Sequence, residues 1–164
     1  MGTRSVIAIR TETGLRGRYC HSDGYPTWVG AQLVGIVQQH GYAAAVKRLT
    51  QARHGWSGLD VNTMDGKTLP LDYEDGGFIA VPGYGTVYTT RRDQSGAAGW
   101  IVDAHQPPSD AEWAYVLDPK GITLLRKEGT STGTVWADRG RVRYDDPEAV
   151  ELMKDAEDGV VDTF

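Results

Sequence analysis

Between residues 77 and 144 the chain carries five short runs, GFIAVPGYGTVYTT, GWIVDA, EWAYVLD, GITLLRK and GTVWADRGRVRY, rich in β-branched and aromatic residues and parted by Gly, Pro and Asp. Runs of this length and texture specify strands, and their close spacing predicts an antiparallel meander over 78–144. DPKG at 118–121 is the clearest hairpin turn, with proline at its second position and glycine at its fourth. Helical spacing is confined to other parts of the chain. Strands and helices segregated in this way predict a single α+β domain, an antiparallel sheet with two or three helices packed on one face.

Ahead of the meander, residues 1–54 read as a strand pair followed by helices. SVIAI (5–9) is a continuous β-branched apolar run, as expected of a strand buried on both faces. TETG turns the chain, and LRGRYCH (15–21) predicts a second strand antiparallel to the first, ended by Asp23-Gly24. Pro26 holds Tyr25 extended, so a helix begins only after it, with Thr27 as N-cap. Val29, Leu33, Ile36, Val37 and His40 then recur at helical spacing up to Gly41. A second helix carries Tyr42, Val46 and Leu49 and stops at Gly55. Residues 55–77 lose periodicity and read as a surface loop anchored by Trp56, Leu59 and Leu69; RRDQSGAA (91–98) reads as a mobile loop. A C-terminal helix over 145–159 starts with Asp146 as N-cap and Pro147 in its first turn.

With 164 residues the chain closes one sizeable core. It holds no apolar run near the roughly 18 residues of a membrane span, and its N-terminal apolar run is shorter than the roughly 7 to 15 residues of a secretion signal. Cys20 is the single cysteine, which excludes an internal disulfide and a multi-cysteine zinc cage and suits a reducing cytoplasm. The net charge of −5 is unevenly spread, with a basic front and an acidic back. The basic front can recruit a phosphate or carboxylate. The acidic close, YDDPEAVELMKDAEDGVVDTF, disfavours direct nucleic-acid binding and attracts basic partners.

Functional side chains concentrate in RGRYCHSDGYPTWVG (16–30). A Cys20–His21 nucleophile pair conflicts with strand geometry, because neighbouring side chains leave opposite faces. Packing as a small hydrophobe is the simpler role for Cys20. His21, Asp23 and Tyr25 alternate, lining up imidazole, carboxylate and phenol as an acid–base or hydrogen-bonding cluster. One His and one carboxylate fall short of a zinc site, so no metal or cofactor is expected. Arg16 and Arg18 share a strand face leading to the helix start, whose free N–H groups at Thr27 and Trp28 suit an anion. Tyr19, Tyr25 and Trp28 can stack on a base, and Arg4 can join from the neighbouring strand. Gly83 and Gly85 in VPGYGTVY lack the third glycine and following helix of a dinucleotide fingerprint, and mark a bulge or a close backbone approach.

TRSVIAI followed by YCHSDGYP resembles a group of small proteins of phages, prophages, plasmids and actinobacterial genomes that open with Thr-Arg-Ser-x-Ile and carry Tyr-Cys-His-Trp-Asp-Gly-Tyr-Pro. The match covers Thr3, Arg4, Ser5, Ile7, Tyr19, Cys20, His21, Asp23, Gly24, Tyr25 and Pro26, about the first third of the chain, and departs at Ser22. The resemblance implies a phage or mobile-element accessory protein working inside a bacterial cell, and carries no catalytic assignment. Three functions follow as expectations. The first is non-enzymatic capture of a nucleotide-like small molecule or a host protein at the 16–28 corner. The second is a small hydrolase or phosphodiesterase using His21 and Asp23 with Cys20 in support, and the third is a protein-interaction module built on the acidic C-terminal helix.

Overall fold

The strand predicted at SVIAI forms the middle of the sheet. In the computed structural model, which describes residues 3–12, 14–51, 55–66, 78–88, 101–104, 111–159 and 161–162, β1 (Ser5–Thr11) pairs antiparallel with β2 (Gly14–Cys20) on one side. On its other side it runs parallel to β7 (Trp113–Leu117). Val6, Ile7 and Ala8 are fully buried, as a strand covered on both faces requires.

Beyond β2, a parallel bridge at Cys20–Trp56 brings in β3 (Gly55–Leu59), which carries the hairpin of β4 (Phe78–Val81) and β5 (Gly85–Tyr88). The earlier part of β2, Leu15 to Arg18, pairs instead with β6 (Ile101–Ala104). Beyond β7 lie β8 (Gly121–Thr130), β9 (Gly133–Arg143) and β10 (Val161–Asp162). Among the described residues the ten strands form one sheet, ordered β10-β9-β8-β7-β1-β2-β3-β5-β4 with β6 on β2.

The expected α+β class stands, and the purely antiparallel meander does not. Hairpins form where the turn chemistry is local: Asp118 accepts from the N–H groups of Lys120 and Gly121 and joins β7 to β8. Three pairs, β1–β7, β2–β3 and β9–β10, are parallel, because the segments between them are long enough to return the chain in the same direction. The segment 55–77 also differs from the expected loop, since it opens with β3. That strand escapes a period-2 reading because a bulge between Trp56 and Gly58 lets Trp56 and Leu59, three positions apart, both be buried. Leu69 and residues 91–98 lie outside the described residues.

Helices cover one face. Pro26–Gly30 makes a π-helical turn that runs into α1 (Ala31–His40), and α2 (Tyr42–Val46) runs into a second such turn, Lys47–Gln51. The C-terminal helix, α3 (Ala149–Asp158), follows a turn in which Asp146 accepts from the Glu148 N–H. These elements pack Val29, Leu33, Ile36, Leu49 and Met153 against Ile7, Cys20, Trp56, Tyr115 and Ile122. The other face of the sheet carries a smaller cluster of Val6, Ala8, Leu15, Tyr19, Val116 and Leu125, with Trp136 packed on it.

At Gly17, opposite Ala8, the two backbones come so close that a methyl group would run into the Ile7 carbonyl oxygen and the Ala8 Cα. Backbone cannot yield as a flexible side chain can. Gly17→Ala is expected to destabilise the fold by about 3 kcal/mol, seen as a lowered urea midpoint with no change in slope.

Candidate functional site: a cleft beside the strand–turn–helix corner

The corner at 21–26 is built by backbone. After Cys20 the His21 N–H donates to the Trp56 carbonyl (2.9 Å), the Gly24 N–H donates to the Thr3 carbonyl (2.7 Å), and the Tyr115 hydroxyl donates to the Gly24 carbonyl (2.6 Å). Asp23 takes a left-handed conformation (φ 52°), the one non-glycine among the described residues to do so, which aspartate tolerates better than most residues. Tyr25 is extended and the helical turn starts at Pro26, so Tyr25 rather than Thr27 holds the N-cap position.

The first-turn donors expected to await an anion are already engaged. Pro26 has none, the Thr27 N–H and hydroxyl both donate to Glu157 Oε1 (3.2 and 3.0 Å), and the N–H groups of Trp28 and Val29 donate to the Tyr25 carbonyl. Glu157 reaches them from α3, one turn beyond Met153, whose sulfur packs against Gly30. A carboxylate of the chain itself occupies the place assigned to a ligand phosphate. Val150, Glu151, Lys154, Asp155 and Asp158 face outward on the same helix, while Ala149, Met153 and Ala156 are buried.

The remaining side chains expected at the corner divide between the two faces of the sheet. Arg16, Arg18 and Cys20 stand opposite Ile9, Ile7 and Ser5 on the helix side. Tyr19 stands opposite Val6 on the other side and is buried in the smaller cluster. His21 is exposed, its ring 6.4 Å from that of Tyr19. Tyr25 donates to Asp23 Oδ1 (3.4 Å), and the neighbouring carboxylate raises the phenol pKa. Arg4 is half-buried, with its carbonyl accepting from the Glu112 N–H. Cys20 is fully buried, and desolvation pushes its thiol up to about 12.

A cleft of about 520 Å³ opens where the corner meets the bulge of β3. Trp28 and Phe78 line it, 37 % and 64 % exposed, with Asp23, Asp60, Ser57 and Thr86. The Trp28 ring is held by donation from Nε1 to the Leu59 carbonyl (2.9 Å). Asp60 accepts from the Asn62 N–H (2.9 Å), which fixes its carboxylate. Gly85 allows β5 to approach, since a side chain there would strike the Gly58 and Leu59 backbone. Asp23 and Trp28 were among the expected residues. Ser57, Asp60, Phe78 and Thr86 were not, because they belong to β3, its following turn and the β4–β5 hairpin. The faint signal for them was WSGLD, an aromatic, a hydroxyl and a carboxylate around a glycine.

Among the described residues no cluster of three or more His, Cys, Asp or Glu could hold a metal ion, and no helix is long and apolar enough to cross a membrane. No protein-family model, curated protein or solved structure matches the chain.

Cys20 gives a direct check. A thiol-specific disulfide reagent at pH 8 is expected to leave the folded protein unmodified and to label it stoichiometrically in urea, because the thiolate is the reacting form. The folded-state thiol lies above its ordinary value of 9.0. Its contribution to stability is therefore complete below pH 9 and is lost as pH rises toward 12, a loss that Cys20→Ser removes from the alkaline unfolding profile. Glu157→Ala, which strips the cap from Thr27, is expected to cost about 1 kcal/mol, measured by thermal unfolding.

Proposed function

We propose that this chain is a non-enzymatic binding protein that takes a small planar ring of nucleoside type into the cleft between Trp28 and Phe78. The observation that carries this is an indole fixed by its own N–H, with more than a third of its surface left open beside a second exposed aromatic ring. A pre-oriented aromatic face loses little entropy on stacking, and base–aromatic stacking is worth roughly 1–3 kcal/mol per base. Asp23 and Asp60 supply acceptors for ring amino groups or ribose hydroxyls, and Ser57 and Thr86 supply donors. The lining holds two carboxylates and no Lys, Arg or His among the described residues. That balance favours a neutral or cationic ring over a phosphate-bearing one.

A hydrolase would require His21 and Asp23 to act on one substrate, yet only Asp23 lines the cleft. Resemblance of the TRSVIAI and YCHSDGYP segments to phage and mobile-element proteins gives the biological setting we favour, an accessory factor of the bacterial cytoplasm.

Adenosine, guanosine, cytidine and uridine, titrated against the full chain, test this. At least one is expected to quench Trp fluorescence and raise the melting temperature by mass action. Trp28→Ala is expected to weaken that nucleoside by about 5- to 100-fold, with the circular dichroism spectrum unchanged. Absence of any nucleoside effect, or an undiminished effect in Trp28→Ala, overturns the proposal.

A further inference from the structure

The cleft at Trp28 is negative as well as aromatic, and the two properties meet on one segment. Leu59, whose carbonyl holds the indole Nε1, is followed directly by Asp60, so the anchor of the ring and a lining carboxylate share one peptide unit. Asp60 has little freedom. Its N–H donates to the Tyr84 carbonyl (2.9 Å), its carbonyl accepts from the Thr63 N–H and hydroxyl (3.1 and 2.7 Å), and its Oδ1 accepts from the Asn62 N–H (2.9 Å). Asp23 lines the cleft from the corner, where its left-handed backbone and the Tyr25 hydroxyl hold it. We propose that the cleft selects a nucleoside whose base carries a positive charge, of the class methylated at a ring nitrogen, over its neutral counterpart; the inference rests on the nucleoside reading of the same cleft.

Two carboxylates on a lining without Lys, Arg or His among the described residues set up a negative potential over the indole. The Tyr25 phenol registers that field: the Asp23 charge first, then burial, with the hydrogen bond to Asp23 and the Glu157 charge adding, hold its pKa above the ordinary value. An indole face is the aromatic surface that attracts a cation most strongly, through its ring quadrupole. The shape of the cation follows from hydration and stacking. A compact ammonium is strongly hydrated and leaves most of the indole uncovered. A base alkylated at a ring nitrogen spreads its charge over a plane, holds its water less tightly, and can stack and face the carboxylates at once. Its neutral counterpart gains the stacking without the charge. A carboxylate accepts at two oxygens, so Asp23 and Asp60 can each also receive an N–H from the ring.

The experiment titrates the full chain by calorimetry at neutral pH with 1-methyladenosine, which is cationic there, with its neutral isomer N6-methyladenosine, and with adenosine. 1-Methyladenosine is expected to bind about tenfold more tightly than its isomer, and that preference is expected to shrink as sodium chloride is raised. Asp23→Asn and Asp60→Asn keep the turns, since asparagine accepts through its amide carbonyl and tolerates the left-handed region. Each is expected to cut the preference about threefold. A ratio of two dissociation constants within one variant does not depend on how much of that variant is folded. Trp28→Ala is expected to weaken both isomers. Equal binding of the two isomers, both weakened by Trp28→Ala, overturns the charge selectivity and leaves the nucleoside reading standing. Absence of binding by all three nucleosides overturns both. A preference unchanged in both asparagine variants, or tetramethylammonium bound as tightly as 1-methyladenosine, also overturns the inference, the first by removing the carboxylates from it and the second by removing the ring.

Discussion

Gly24 is the point on which the rest of the architecture turns. Its N–H and its carbonyl are both engaged, by the Thr3 carbonyl and the buried Tyr115 hydroxyl, and its missing side chain is what lets it lie against Ser5. These contacts tie the exit of β2 to β1 and β7 at once. A buried donor–acceptor pair of this kind is costly to break, since either partner alone is left unsatisfied in the interior. With that exit fixed, Pro26 must start its helical turn at one place, and Trp28 follows within reach of the Leu59 carbonyl.

Opposite ends of the chain meet at the same corner. Glu157 caps Thr27 and Met153 packs on Gly30, so α3 belongs to the helix start as much as to the C-terminus. The acidic back seen in the sequence thus places one carboxylate, Glu157, on the helix start of the front half. Among the described residues two recesses differ in character: a carboxylate-lined aromatic cleft at the end of β2, and a recess lined by Arg16 and Arg18 farther back on the same strand.

Local chemistry was legible in the letters and long-range pairing was not. SVIAI, the Pro26 boundary, Gly41 and the DPKG hairpin all appear where turn geometry and periodicity put them. The burial of Cys20 agrees with the tendency of a free cysteine to pack as a small hydrophobe, and alternation along β2 separates Arg16 and Arg18 from Tyr19. Parallel pairing of β1 with β7 depends on residues more than a hundred positions apart, which no period reports. The cleft was half visible: Asp23 and Trp28 belong to a dense polar segment, whereas Asp60 and Phe78 gain their place only through the β3 bulge and the β4–β5 hairpin.

The pairing of β1 between β2 and β7 also governs how the chain is made. A ribosome delivers Ser5–Thr11 and Gly14–Cys20 long before Trp113–Leu117 emerges. Throughout that interval the β1–β2 hairpin exposes one edge of an apolar strand with its backbone groups unsatisfied, a template for wrong partners. The chain shields part of its opposite edge early, through the Cys20–Trp56 bridge, but the edge that β7 will occupy stays open until Trp113–Leu117 has been made. High sequence separation at the centre of the sheet slows closure, because the apolar strand β1 is synthesised well before the partner it pairs with in parallel.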